Sequence, residues 1–156
     1  MVEAAEILAL ARSKGMMITT AESCTGGMIA AGLTEIPGSS DVFERGFVTY
    51  SNAAKISMLG VDPKTLDRFG AVSEETAAEM AQGALAHSEA DIAVSVTGIA
   101  GPGGSDHKPE GRVCFGLASR GETSTKTIEF GALGRSRVRE ASMEEAFALL
   151  SAHLKS

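Results

Sequence analysis

The stretch TTAESCTGG brings Ser23, Cys24 and Thr25 together directly before two glycines. A strand pattern ends here and a helix pattern follows, which is the position where ligands bind in open α/β sheets. We expect free N–H groups at the start of that helix to hold an anion or a developing oxyanion. Gly26 and Gly27 would let the backbone approach a substrate closely. The alternative is that Ser23 or Thr25 only caps the helix.

A serine hydroxyl needs a base to act as a nucleophile at neutral pH. No histidine lies near the end of a predicted strand, and His107, in a polar loop, is the only tolerable candidate. Lys55, in YSNAAK, lies just after a predicted strand, and a desolvated lysine can serve as a base. Tyr50 and Asn52 lie beside it, and Ser/Lys pairs are known in acyl transfer. The alternative is that Lys55 is an ordinary solvated surface lysine.

Cys24 is the competing nucleophile, because a thiol at a helix N-terminus has a lowered pKa. The alternative, which we favour, is that Cys24 is a small buried apolar residue. The only other cysteine is Cys114, and the two form no CxxC pair, so we expect reduced thiols.

The segment VTGIAGPGG forms a second predicted strand end. Thr97 and Gly98 close a nearly continuous apolar strand, and Gly101 lies in the loop that follows. The segment matches neither a Walker loop nor GxGxxG, so a nucleotide cradle and a plain loop remain equally open.

Three arginines gather in GRSRVRE, where the last helix is predicted to begin. Cations at that end oppose the helix dipole, which suggests that they hold an anion. Arg135 and Arg139 are four residues apart and share a helix face, as a phosphate site would require. The alternative is that they pair with surface acids such as Glu140 and Glu144.

Composition excludes several classes of function. The net charge of −6 argues against a nucleic-acid surface. No apolar run is long enough to cross a membrane, and the N-terminus lacks signal-peptide features, so we expect a cytoplasmic protein. The three histidines are far apart and show no metal-ligand spacing, so we predict no metal and no cofactor.

Strand patterns alternate with helix patterns until a terminal hairpin and helix. This order predicts a single α/β domain over residues 1–156, with three α/β/α layers and a mixed, largely parallel sheet. Asp62 and Ser73 are predicted to cap helices, and RGET is predicted to turn a hairpin. Apolar helix faces on a domain of this size favour a homo-oligomer.

Four segments closely resemble the CinA C-terminal domain family, namely TAESCTGG, GSSDVFERGFVTYSNAAK, GAVSEETAAEMAQGAL and VSVTGIAGPGGSDHKPEGRVCFGLA. The resemblance runs from about residue 5 to residue 150. Characterised members include nicotinamide-nucleotide amidohydrolases, and some relatives carry an additional N-terminal domain. The chain looks like the stand-alone form.

The resemblance implies hydrolysis of nicotinamide mononucleotide to nicotinic acid mononucleotide and ammonia. It implies Ser23 as the nucleophile and Lys55 as its base, with Tyr50 and Thr97 in supporting positions. Relatives have serine at the position of Thr97 and read GDR where this chain reads LGR, ending at Arg135. Two alternatives are a nucleotide-binding module without catalysis and a hydrolase of another small amide.

The mechanism expected from both lines of reasoning assigns substrate contacts as well. The phosphate and ribose would lie against two arginines and the glycine loop after the buried strand. The predicted substrate-binding residues are Thr25, Gly26, Gly27, Asn52, Gly98, Gly101, Arg135 and Arg139.

Overall fold

The computed structural model describes residues 1–156. Five strands and six α-helices follow one another along the chain, with one 3-10 turn at Ser39–Asp41. In order they are α1 (Ala4–Ser13), β1 (Ile18–Glu22), α2 (Met28–Thr34), β2 (Phe43–Val48), α3 (Asn52–Leu59), α4 (Pro63–Phe69), α5 (Glu74–Ala86), β3 (Ile92–Gly98), β4 (Arg112–Ser119), β5 (Glu122–Glu129) and α6 (Arg135–Lys155).

The strands form one mixed sheet in the order β2-β1-β3-β4-β5. Strand β1 pairs in parallel with both β2 and β3, whereas β4 pairs antiparallel with β3 and β5. Four strands therefore run in one direction and β4 runs in the other. This confirms the predicted α/β fold with a mixed sheet and a terminal hairpin. The carboxyl ends of β1, β2 and β3 share one edge of the sheet.

Helices cover both faces of the sheet, which gives the three predicted layers. Helices α1, α2 and α6 bury a cluster that includes Ile29 and Leu150 on one face. Helices α3, α4 and α5 bury a cluster around Met80 and Leu59 on the other. Strand β3 lies between them, with Val94 facing the first cluster and Ala93 the second. Burial of each large aliphatic side chain contributes about 1.5–3 kcal/mol.

Side chains cap the N-terminal ends of α3, α4 and α5. Ser51 accepts a hydrogen bond from the Ala54 N–H at the start of α3. Asp62 and Ser73 cap α4 and α5, as predicted. Each cap satisfies one N–H group that the helix itself leaves unpaired. The Ser51 cap fixes where α3 begins, and hence where Lys55 lies.

The end of helix α3 packs closely against α5 at Gly83. A Cβ atom built on Gly83 would lie 1.9 Å from the backbone oxygen of Leu59, the last residue of α3. Only glycine allows this close approach of the two backbones. None of the helices is both long and apolar enough to span a lipid bilayer.

Replacing Gly83 with alanine is expected to destabilise the fold by about 1–3 kcal/mol, because α3 must move away from α5. Helix propensity alone predicts the opposite sign, a gain of about 1 kcal/mol. Urea unfolding of Gly83→Ala measures the difference, with the exposed neighbour Gln82→Ala as the control. A Gly83→Ala variant as stable as the wild type would contradict the packing argument.

Candidate active site

The side chains of Ser23 and Lys55 meet at the edge of the sheet, although 32 residues separate them in the sequence. Ser23 directly follows β1, and Lys55 lies in the first turn of α3, soon after β2. Because β1 and β2 are parallel neighbours, the segments that leave them start side by side. The Lys55 Nζ donates hydrogen bonds of 3.0 Å to the Ser23 Oγ and of 3.0 Å to the Thr49 carbonyl.

Lys55 is only 2% exposed. Burial lowers the pKa of its ammonium group, because a charged amine loses its hydration in this position. No carboxylate forms an ion pair with Lys55. The neutral amine is therefore more accessible than in a free lysine, which is the property a base next to a serine needs.

Ser23 and Lys55 line a cavity of about 350 Å³. This size lies within the usual range of small-molecule sites. Eight of the twelve predicted site residues line it, namely Ser23, Tyr50, Asn52, Lys55, Thr97, Gly98, Gly101 and Arg135. The residues at the carboxyl ends of β1, β2 and β3 thus line a single cavity.

Thr97 forms a fixed part of the cavity wall. Its side chain is 1% exposed, and its hydroxyl donates a 2.8 Å hydrogen bond to the carbonyl of Ala71. The hydroxyl makes no hydrogen bond to Ser23 or Lys55. Thr97 therefore ties β3 to the segment between α4 and α5.

Two further cations, Arg135 and Lys108, line the cavity. Arg135 donates from Nη1 to the Gly101 carbonyl at 2.8 Å and from Nη2 to the hydroxyl of Tyr50, which is 59% exposed. Lys108, which the sequence analysis missed, donates to the carbonyls of Phe69 and Val72. Neither cation forms an ion pair with a carboxylate. Both remain able to attract an anionic group.

The sequence analysis also missed Glu22, the last residue of β1. Its side chain is fully buried and turns towards the start of α2. Oε1 accepts from the Thr25 hydroxyl at 2.6 Å and from the N–H groups of Gly27 and Ile29 at 3.2 and 3.0 Å. Oε2 accepts from the Ala30 N–H at 3.0 Å.

The start of α2 therefore has a cap that the sequence analysis did not expect. The N-cap residue is Gly27, at φ 104°, and its position carries no side-chain cap of its own. The alternative that Ser23 or Thr25 caps α2 is wrong, because the Glu22 carboxylate occupies those N–H groups. One signal was present in the sequence, an acidic residue that ends an otherwise uncharged strand before a turn.

The remaining four predicted residues, Thr25, Gly26, Gly27 and Arg139, do not line the cavity. Arg139 donates from Nε to the Cys24 carbonyl at 3.0 Å and from Nη2 to the Thr25 carbonyl at 3.3 Å. Gly26 has φ 56°, like Gly27 in the left-handed region that favours glycine. These residues shape the turn after Ser23.

The sequence model of the CinA C-terminal domain matches residues 2–154. The chain belongs to this family. A CinA-like protein of Chloroherpeton thalassium is 53% identical over 151 residues, or 92% of this chain and 36% of the relative. The nicotinamide-nucleotide amidohydrolase PncC of Enterobacter agglomerans is 59% identical over 116 residues, or 74% of this chain and 71% of the relative.

Solved structures of the CinA family share the fold. The competence/damage inducible protein CihA of Agrobacterium tumefaciens superposes with a TM-score of 0.89 at 50% identity, covering 97% of this chain and 96% of that one. The competence damage-inducible protein A of Klebsiella pneumoniae gives 0.94 at 41% identity, covering 97% and 94%. Among the curated relatives, this chain spans about a third of the length of several, between 34% and 36%.

Cys24 in this CinA domain is a poor nucleophile. It is 5% exposed, and burial raises the pKa of its thiol to about 11. A thiol with that pKa is protonated at neutral pH, whereas the thiolate is the reactive form. The carboxylate of Glu22 at the start of α2 also raises the pKa of this thiol, although less than burial does.

One carboxylate, that of Asp106, also lines the cavity of this CinA domain, but no histidine does. His107 is exposed and is not part of the lining. No three histidine, cysteine or acidic side chains come together as metal ligands would. The contact that pairs a base with a nucleophile in this cavity is that of the buried Lys55 amine beside the Ser23 hydroxyl.

Proposed function

We propose that this chain hydrolyses the carboxamide of nicotinamide mononucleotide to give nicotinic acid mononucleotide and ammonia. The observation that carries the proposal is the 3.0 Å hydrogen bond between the Lys55 Nζ and the Ser23 Oγ in a cavity that also contains Arg135. The name of the Enterobacter agglomerans relative supports the same substrate. The whole reaction uses one substrate and water.

The Ser–Lys pair supplies both the nucleophile and the proton transfers. Neutral Lys55 takes the Ser23 proton while the Ser23 Oγ attacks the carboxamide carbon. When the tetrahedral intermediate collapses, the C–N bond breaks and the proton passes to the leaving nitrogen, which departs as ammonia. Water, deprotonated by Lys55, then attacks the ester and restores the Ser23 hydroxyl. The positive charge of the pyridinium ring makes the carboxamide carbon more electrophilic.

The oxyanion was expected to bind the N–H groups at the start of α2, but the Glu22 carboxylate already occupies those of Gly27, Ile29 and Ala30. The N–H groups of Cys24 and Thr25, which directly follow Ser23, have no acceptor. Of these two residues only Cys24 lines the cavity, whereas Thr25 is fully buried. We assign the oxyanion to the Cys24 N–H.

The phosphate of the substrate is assigned to Arg135 and the glycine loop around Gly101, with Lys108 as a second cation. An arginine bonded to one carbonyl and one hydroxyl retains further N–H donors for a phosphate. Arg139 is not assigned to the phosphate, because its guanidinium binds the turn after Ser23.

Replacing Arg135 with alanine is expected to raise KM for nicotinamide mononucleotide about 10-fold or more, with a smaller change in kcat, because a charge-assisted contact contributes about 1.5–3 kcal/mol. Steady-state kinetics measure both parameters. Arg137→Ala removes an exposed arginine from the same turn of α6 and is the matched control. A KM that is equal in Arg135→Ala and Arg137→Ala would remove Arg135 from the phosphate site.

The decisive experiment incubates the purified chain with nicotinamide mononucleotide and measures ammonia together with nicotinic acid mononucleotide. Binding without ammonia would favour a nucleotide-binding module. Nicotinamide, nicotinamide riboside and NAD serve as competing amides, and faster turnover of any of them would favour a different amidase. The homo-oligomer and the cytoplasmic location stay predictions, and sedimentation velocity tests the first.

A further inference from the structure

We propose that Glu22 is a positioning residue, which holds the turn after β1 so that the Ser23 hydroxyl stays against Lys55. The inference rests on the proposed function, since it concerns the nucleophile of that reaction. Glu22 is fully buried and makes no ion pair. Its carboxylate accepts four hydrogen bonds, all from the segment directly after Ser23.

A charge in this place is a costly way to cap a helix. Burial of a carboxylate requires several compensating hydrogen bonds, whereas an exposed Ser, Asp or Asn side chain caps a helix at little cost. The chain uses such ordinary caps at Ser51, Asp62 and Ser73. Only at the turn that carries Ser23 is a buried carboxylate used instead. The added contacts fix the turn more tightly than one cap could.

The backbone of Glu22 is linked to both members of the Ser–Lys pair. The Glu22 carbonyl accepts from the Thr49 N–H at 2.8 Å, and the Thr49 carbonyl accepts from the Lys55 Nζ at 3.0 Å. The Lys55 Nζ in turn reaches the Ser23 Oγ. These contacts form a closed ring of groups, and Ser23 joins it through its peptide bond to Glu22.

The Glu22 carboxylate holds the residues that follow Ser23, which lie outside this ring of contacts. The Ser23 N–H donates to the Val96 carbonyl at 2.9 Å, which fixes the residue to β3. After Ser23, the hydrogen bonds that hold the turn to the groups around it come from the Glu22 carboxylate and Arg139. If the carboxylate is lost, four donors lack their acceptor and the turn relaxes. A displacement of about 1 Å in a catalytic group can lower a rate by about 10²-fold.

The test compares Glu22→Gln with Glu79→Gln. A glutamine at position 22 can keep the bonds to Oε1, but its NH2 group meets the Ala30 N–H donor. Glu79 is the matched control, because it accepts from the Asp62 N–H at 2.8 Å and from the Thr65 hydroxyl at 2.5 Å, away from the cavity. We expect kcat to fall about 10²-fold in Glu22→Gln, with KM within about threefold, and to stay unchanged in Glu79→Gln.

A purely structural role would give a different pattern. Loss of folded protein lowers the active fraction, which circular dichroism and thermal unfolding measure independently of kcat. If Glu22→Gln is folded and its kcat equals that of Glu79→Gln, the inference is overturned. An equal rise in KM and fall in kcat would also overturn it, because that result indicates a distorted cavity.

A second measurement does not depend on nicotinamide mononucleotide. A fluorophosphonate reagent labels activated serines, and mass spectrometry identifies the labelled residue. We expect Ser23 to be labelled in the wild type and in Glu79→Gln, and about 10²-fold more slowly in Glu22→Gln. Labelling at the wild-type rate in Glu22→Gln would overturn the positioning role alone. A wild type that is not labelled at Ser23 would overturn the nucleophile of the proposed function, and this inference with it.

Discussion

Replacing Ser23 with alanine is expected to lower ammonia release from nicotinamide mononucleotide by at least about 10³-fold, because the reaction then has no nucleophile for its first step. The substrate should still bind, since Arg135 and the glycine loop remain. A coupled ammonia assay gives the rate, and calorimetric titration of Ser23→Ala with nicotinamide mononucleotide gives the affinity. The two measurements together separate lost chemistry from lost binding.

The control for this prediction is Ser124→Ala, which removes an exposed serine on β5 and should keep the wild-type rate. Cys24→Ala tests the rival nucleophile. A raised thiol pKa predicts that this variant retains turnover and that iodoacetamide leaves the wild type active. Normal turnover in Ser23→Ala, together with inactive Cys24→Ala, would assign the nucleophile to the thiol instead.

Replacing Lys55 with methionine is expected to lower kcat by about 10²–10⁴-fold, because a positioned general base contributes a factor of that size. Methionine fills much of the same buried volume, so the fold should remain intact. Lys55→Arg distinguishes base from charge, since a guanidinium stays protonated and cannot accept the Ser23 proton. Substantial activity in Lys55→Arg would show that the positive charge alone is needed.

The same residue sets the pH dependence of the wild type. Only the neutral amine accepts a proton, so kcat/KM should rise with pH as Lys55 loses its own proton. Burial lowers the pKa of Lys55, and the midpoint of the rise should therefore lie below the value of a free lysine, about 10.4. A rate profile that is flat from pH 6 to pH 10, or that falls over this range, would contradict the assignment of Lys55 as the base.

Local sequence signals predicted the elements and most caps well. Asp62 and Ser73 act on N–H groups two or three residues ahead, so the pattern that identifies them is contained in one short window. The pairing of Ser23 with Lys55 was predictable at the level of strand ends. It follows from β1 and β2 being parallel neighbours, and the family resemblance pointed to the same two residues.

The contacts around the turn after Ser23 were not predictable in the same way. Glu22 accepts from groups three to eight residues ahead, and its role depends on two left-handed glycines that delay the start of α2. Arg139 reaches Cys24 across 115 residues of sequence. A helical spacing of four suggested that Arg139 works beside Arg135, but α6 directs one guanidinium to the cavity and the other to the turn.

Two parts of the cavity wall come from different regions of the sequence. Ser23 and Lys55 belong to the segments that follow β1 and β2, and both lie before residue 60. Gly101, Lys108 and Arg135 belong to the segments that follow β3 and β5. One hydrogen bond, from Arg135 to the Tyr50 hydroxyl, links the two parts. Tyr50 and Asn52 also line the cavity, so the first half of the chain supplies more of its wall than the Ser–Lys pair. Substitutions in the later segments can therefore reshape the end of the cavity that we assign to the phosphate, while the two reacting side chains keep their places.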